Sequence, residues 1–345
     1  MSRSMKSFVR NAFSFVLAFA FLYFAFRDVH FSDLWYSLRT ANYGWILLLI
    51  PVNIASHWIR AVRWRYLLAP VKSGLSDRNL FSGVMIGYAV NNVLPRVGEF
   101  VRPYVLGRLE NISKSAALGT VVIERILDFT SFYFIVCVMI AIYPHSLDPF
   151  LPNTAAVGPL FLLASMAALV VFVLMFFKAE AMMRFLTRWK HLVPARYRAT
   201  TDHILESFAT GLNVSRLREH SVAILSLSLA MWGVYALGMY LPFFSLDALA
   251  AKGLHMGDAV LLLVISSIAW VLPAPGAMGT YHSFVTVVLM RLYGVDMTTA
   301  LSYSIITHEV GYIVVMALGA GFYLRDRAKI GNFMMMSGKG EASST

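Results

Sequence analysis

A single cysteine in 345 residues, Cys137, excludes an internal disulfide, and its position inside an apolar run marks it as small packing material. Charge is scarce too. Only 14% of residues are Asp, Glu, Lys or Arg, whereas 59% are hydrophobic and the mean hydropathy is +0.67. Several runs approach or exceed the roughly 18 to 20 apolar residues that cross a bilayer. The chain therefore reads as a polytopic membrane protein with one membrane domain, 1–330, and no room for a sizeable soluble catalytic domain. No G-x-x-x-x-G-K-[ST] occurs, which argues against ATP hydrolysis. No small-x-small cleavage site comes after Arg3, Lys6, Arg10 and the apolar run from Ala12 to Phe26, so this stretch reads as an uncleaved first span, not a signal peptide.

The net charge of +11 does not point to nucleic acid, because the basic residues flank apolar spans. Some of them also suit anionic lipid headgroups. The expected spans are 8–26, 44–68, 118–142, 157–177, 221–245 and 299–324. Two further apolar segments, 79–113 and 257–293, are broken in the middle by the same pattern. Leu94-Pro95-Arg96-Val97-Gly98 interrupts the first and Leu272-Pro273-Ala274-Pro275-Gly276 the second. Proline removes a backbone donor, and glycine loosens the adjoining backbone. Inside a bilayer such a break is tolerated only where protein or a wet cavity receives the freed groups.

Charge sets the expected topology. Arg60, Arg63, Arg65, Lys72 and Arg78 gather at the end of span two and its loop, and 178–219 is dense in lysine and arginine. The loop at 143–156 has neither, and 246–256 has only Lys252. With both termini cytoplasmic the alternation is consistent. Arg78 and Lys114 then share the cytoplasmic side, and Lys252 and Asp296 share the outside. Each broken segment must return to the side it entered. The expected fold is all-α, with six spanning helices plus two oppositely oriented re-entrant helical hairpins. Repeat 1 (8–143) and repeat 2 (157–325) form an inverted repeat. Two unrelated proline kinks in a long apolar chain are the plain alternative. Residues 178–219 carry Met182, Phe185, Leu186 and Trp189 at helical spacing and suit amphipathic helices on the inner leaflet. Residues 331–345 read as a disordered polar tail. The sequons at Asn111 and Asn213 fall on the cytoplasmic side and read as coincidence.

Charged residues inside a membrane cost about 2.5 to 3.5 kcal/mol each at a helix centre. The first hairpin holds Arg96, Glu99 and Arg102, and the next span holds Glu124, Arg125 and Asp128. Unpaired in lipid, they would cost on the order of 15 kcal/mol. They must pair, face water or sit near the interface. Glu99 and Arg102 are spaced i,i+3, Glu124 and Asp128 i,i+4, and Arg125 is within reach of Glu99 if hairpin and span pack. A structural ion-pair network and a polar cavity holding an anionic headgroup both fit. Asn91 and Asn92 could donate to a phosphate or satisfy backbone groups freed by Pro95. The second half offers Tyr281, His282, His308 and Glu309, without the tight spacing of a metal site, so no metal and no cofactor are expected. A histidine or carboxylate that titrates during transport is the better fit. Gly98, Gly276 and Gly279 suit either a close backbone approach to an anion or simple turn geometry.

Four groups of residues, in order, resemble a known family. They are Arg60-Ala-Val-Arg63-Trp64, then Asn91-Asn-Val-Leu-Pro95-Arg-Val-Gly98-Glu99 with Arg102, then Glu124-Arg125 with Asp128, then Pro273-Ala-Pro-Gly276-Ala-Met-Gly279-Thr-Tyr281-His282. The family is that of the lysylphosphatidylglycerol synthase transmembrane region, also called flippase-like or UPF0104, and the resemblance covers roughly 8–325. It implies a bacterial or archaeal inner-membrane protein. In its best understood members the region is coupled to a cytoplasmic aminoacyltransferase and moves aminoacylated phospholipid between leaflets, whereas many stand-alone members have no assigned substrate. This chain ends shortly after the last span, so no transferase activity is expected. Arg96, Arg102 and Arg125 would contact an anionic headgroup, and Glu99, Glu124 and Asp128 would position them or carry a proton. Three rivals stay open: a small-solute or ion-coupled transporter, an enzyme of lipid modification built on His282, His308 and Glu309, and an accessory subunit of a glycosyltransferase.

Overall fold

Apolar periodicity without strand alternation produces helices throughout. In the computed structural model every regular element among the described residues is helical. The structure describes residues 16, 18–142, 159, 160, 163, 219–272 and 274–331. Most of the expected span 157–177, the amphipathic stretch up to residue 218, the start of the first span, Pro273 and the tail after residue 331 lie outside the described residues.

Residues 18–26 are helical, and after them in chain order come α1 (Phe31–Thr40), α2 (Tyr43–Leu67), α3 (Asp77–Val93), α4 (Gly98–Glu110), α5 (Lys114–Ile142), α6 (Ser221–Tyr240), α7 (Asp247–Ala250), α8 (Met256–Ala269), α9 (Thr280–Tyr293) and α10 (Met297–Ile330). A 3-10 turn, Leu241–Ser245, extends α6. The stretch 246–256, expected as a plain loop, contains α7, and α1 lies between the expected spans 8–26 and 44–68.

The ends reflect local chemistry. The Asn42 side chain accepts from the Gly44 amide at 3.0 Å and starts α2, and Asp296 accepts from the Thr299 amide at 2.9 Å and starts α10. Asn111 ends α4 in the left-handed region at φ 52°, a structural reason for asparagine at that sequon.

Among the described residues, three helices are long and apolar enough to cross a membrane: Tyr43–Leu67, Ser221–Ser245 and Met297–Ile330. A helix of 25 residues rises about 37 Å, more than the roughly 30 Å of hydrocarbon in a bilayer. Large apolar side chains such as Phe19, Leu47, Phe129, Leu229 and Ile313 point outward, as lipid-facing surfaces require.

Both broken segments fold back on themselves. Across the first break, Gly98 lies against Gly87, and Leu106 lies near Gly83, so α3 and α4 run antiparallel in contact. Across the second, Thr280 Oγ1 donates to the Ala269 carbonyl at 3.3 Å and Tyr293 OH donates to Asp258 at 2.9 Å, tying α8 and α9 together at both ends.

Each hairpin has its own core. Ala61, Trp64 and Leu67 of α2, Leu80 and Val84 of α3, Leu106, Val121 of α5 and Val315 of α10 surround the first. Leu49 of α2, Phe243, Leu262 of α8, Val285 of α9, and Ala300 and Tyr303 of α10 surround the second. Helices α2 and α10 run through both cores. The hairpins therefore occupy opposite ends of the same helices, and their tips meet in the middle. There Arg96 Nη2 donates to the Val271 carbonyl at 3.2 Å, and the Asn92 carbonyl crowds Gly276.

Candidate polar sites at the two helix breaks

The first site lies beside the first hairpin. Arg60 and Arg63 stand one turn apart on α2, Arg102 comes from α4, and Glu124, Arg125 and Asp128 come from α5. Glu124 is fully buried and its Oε1 accepts from Arg60 at 2.6 Å, Arg102 at 2.8 Å and Arg125 at 2.9 Å. Arg102 Nη2 lies 2.8 Å from the other oxygen. Asp128 accepts from Arg60 at 2.8 Å and from Arg63, and lies 3.2 Å from Arg125.

Helix α6 closes the far side. Arg60 Nη2 donates to Tyr235 OH at 2.8 Å and Arg63 Nη1 to Ser228 at 3.0 Å. Trp64 Nε1 donates to Thr120 at 2.9 Å, and the Arg102 guanidinium sits over the Trp64 ring.

Four guanidinium groups thus face two carboxylates. The cluster carries two positive charges beyond its own acids. Buried charge of this kind is stable only when paired or hydrogen-bonded. Nε of Arg60, Arg63, Arg102 and Arg125 has no hydrogen-bond partner among the described residues. The cluster opens on one side: the Arg125 side chain is 30% exposed and that of Asp128 15%, against 0% for Arg63.

The expected residues divide sharply. Arg102, Glu124, Arg125 and Asp128 converge as described. Glu99 does not join them: among the described residues it makes no ion pair, and Arg102 is drawn to the buried Glu124 instead of to its i,i+3 neighbour. Arg125 likewise turns to Glu124 and Asp128, not to Glu99. Arg96 is exposed and bonds across the tips, away from the cluster. Asn91 Oδ1 accepts from the Gly98 amide at 2.6 Å and so satisfies a backbone donor at the break. Asn92 is buried against the second break.

The glycines serve packing. A Cβ on Gly98 would strike the Gly87 carbonyl, and one on Gly276 would come within 2.8 Å of the Tyr312 ring. Gly279 packs on the backbone of Ala18 and Leu22. Pro95 lies in the turn between α3 and α4, and Pro275 opens a short 3-10 turn.

Arg60 and Arg63, expected as topogenic charges at the loop side of span two, are 5% and 0% exposed and central to the cluster. Their i,i+3 spacing before the end of an apolar helix is the available signal. Trp64 stands in the first group that carries the family resemblance, whereas Thr120, Tyr235 and Ser228 carry no signal of their own, because only the fold brings them to the arginines.

The second site lies at the second break. His308 Nε2 is 2.7 Å from the Gly276 carbonyl and Nδ1 is 2.9 Å from Glu309 Oε1. His282 Nε2 is 3.6 Å from the same oxygen. Tyr281 OH donates to Thr307 at 2.9 Å. The rings of Trp270, Tyr281 and Tyr312 surround His308. His282 and Glu309, separated widely in sequence, are brought together by the packing of α9 on α10.

Comparison with known proteins agrees with this outline. The chain matches the lysylphosphatidylglycerol synthase TM region family over residues 11–319. It is 23% identical over 306 residues to a UPF0104 membrane protein of Methanothermobacter thermautotrophicus, covering 82% of this chain and 86% of that one. It is 24% identical over 314 residues to a UPF0104 membrane protein of Pyrococcus horikoshii, covering 84% and 89%. With a UPF0104 membrane protein of Methanocaldococcus jannaschii it shares 29% identity over 122 residues, 34% of this chain and 36% of that one, so the match spans about a third of that relative's length. The paired helix breaks and the buried arginine cluster thus sit within a match covering most of the sequence, and the chain belongs to the lysylphosphatidylglycerol synthase TM region family.

Proposed function

We propose that this protein is a lipid flippase or translocase that moves a lipid with an anionic headgroup between leaflets of the bacterial or archaeal cytoplasmic membrane. The observation that carries this reading is the buried cluster in which Arg60, Arg63, Arg102 and Arg125 have, among the described residues, only Glu124 and Asp128 as carboxylate partners. A phosphate-type headgroup would supply the missing negative charge and hydrogen-bond acceptors for free guanidinium nitrogens. Arg125 and Asp128 line the open side, where a headgroup would enter while the acyl tails remain in lipid. Membership in a family named for the membrane region of a lysylphosphatidylglycerol synthase supports a lipid as the cargo.

In this reading the chain has six spanning helices, and the hairpins α3–α4 and α8–α9 are re-entrant, one from each side, with both termini cytoplasmic. Tips that touch near the middle of two shared helices are what such a plan requires. The protein acts as a carrier with no chemical step of its own. Energy comes from a gradient, a partner or the imbalance of the lipid itself.

The test is reconstitution in liposomes containing fluorescent anionic or zwitterionic lipids, with wild type beside Arg125→Ala. Faster exchange of anionic lipid with wild type, lost in a well-folded Arg125→Ala protein, is the expected result. Equal exchange by the two proteins would overturn the role of the cluster. The absence of any lipid exchange across a panel of anionic headgroups would overturn the cargo.

A further inference from the structure

We propose that His282, His308 and Glu309 form a binding site for a divalent transition metal of the zinc class, at the tip of the second hairpin. This inference is independent of the lipid reading. One ligand atom from each residue lies within 4.8 Å of the other two. Glu309 Oε1 is the common neighbour, 2.9 Å from His308 Nδ1 and 3.6 Å from His282 Nε2. Two imidazoles and one carboxylate are the donor set of open, three-protein-ligand zinc sites.

The surroundings fit the same assignment. The Gly276 carbonyl can only accept, so the 2.7 Å contact with His308 Nε2 requires a proton on that nitrogen. The ring's other nitrogen, Nδ1, is then the one that faces Glu309. A histidine that gives one N–H to a backbone carbonyl and presents the other nitrogen inward has the outer-shell support typical of metal ligands. The carbonyl that supplies it belongs to the glycine of the second break, at φ 54°.

The same geometry defines what the metal replaces. Nδ1 and Oε1 at 2.9 Å share a hydrogen bond, so one proton lies between them, on nitrogen or on oxygen. A metal bonded to both atoms takes its place, and that proton leaves to solvent. The third donor is available as well. His282 is 3% exposed, and its Nε2, the nitrogen nearest Glu309, makes no hydrogen bond among the described residues, so its lone pair is not committed to a protein donor. Glu309 is the open side of the site, with 36% of its side chain exposed, and gives the ion both entry and room for a solvent ligand. Because His282 lies on α9 and the other two residues on α10, a bound ion would clamp the second hairpin to the long helix beside it.

The experiment uses the full-length protein in detergent, stripped with a chelator and titrated with cobalt(II), then with zinc. The expected result is about one ion per chain, with the intense visible absorption of four-coordinate cobalt, bleached by zinc. Zinc addition at constant pH should release about one proton per site. His282→Gln and Glu309→Gln should each weaken binding by roughly a hundredfold, while His255→Gln, at an exposed position on the other end of α8, should not change it. Elution as a single monodisperse species guards against misfolded variants. A wild-type protein that binds no stoichiometric ion would overturn the site. So would binding that survives both substitutions in proteins that elute as the wild type does.

Discussion

The guanidinium of Arg102 lies 3.8 Å from the centroid of the Trp64 ring while it donates to Glu124 at 2.8 Å. One arginine of the first hairpin is thereby held from two sides, by an indole on α2 and a carboxylate on α5. Trp64 is fully buried and also donates to Thr120 of α5. This stacked pair is one of the joints between the hairpin and its two neighbouring helices. Replacing the indole tests that joint. Trp64→Phe keeps an aromatic face and loses one hydrogen bond, so it should cost about 1 kcal/mol. Trp64→Ala removes the face and leaves a cavity, and should cost about 3 to 5 kcal/mol. Thermal unfolding in detergent reads both.

Glu124 is the single carboxylate that most of the cluster shares. Glu124→Gln keeps the shape and removes the charge, leaving Arg60 with Asp128 and Arg102 with no carboxylate partner among the described residues. Breaking a buried pair in this way typically costs about 3 to 5 kcal/mol. Arg125→Ala should cost far less, because its side chain is partly exposed and its loss lowers the excess positive charge. Parallel unfolding curves of the two variants give the comparison. The reverse order would mean that Arg125 anchors the cluster.

Helix α10 approaches α3 closely at Gly319. A Cβ there would run into the Ala89 side chain and come within 2.8 Å of the Met85 carbonyl. Gly319→Val should therefore destabilise by about 1 to 3 kcal/mol or more. Ala89→Gly in the same protein should restore only part of this loss, because the backbone clash at Met85 remains. The double-mutant cycle, measured by unfolding, separates the two contacts.

Topology gives a prediction independent of transport. In a Cys137→Ser background, Ser73→Cys and Ala251→Cys place one thiol in the turn before α3 and one in the turn before α8, both exposed. A membrane-impermeant maleimide applied to intact cells should label Ala251→Cys and leave Ser73→Cys unmodified until the cells are opened. Labelling of both from outside would remove the opposite orientation of the two hairpins.

The long helices α2, α5, α6 and α10 and the two breaks could be read from the chain alone because their causes are local. An apolar run long enough to cross a bilayer forms a helix wherever it lies, and Leu94-Pro95 and Leu272-Pro273 remove backbone donors at fixed positions. The breaks expected there separate α3 from α4 and α8 from α9. The excess of polar residues around the first break was legible for the same reason: charge in an apolar chain is costly wherever it lies.

Partner choice was not local. Spacing along one helix suggests Glu99 for Arg102, but Arg102 points into the protein and pairs with Glu124, 22 residues on, at a site 0% exposed, where an uncompensated charge would cost most. Arg60 meets the same carboxylate across 64 residues. His308 finds its acceptor in the Gly276 carbonyl, which exists as a free acceptor only because the break withdraws it from a helix. Residue types and their cost in lipid were decided by the sequence. Which charge neutralises which, and whether two histidines and a glutamate share one space, depended on distances set only by the packing of α2, α5, α9 and α10.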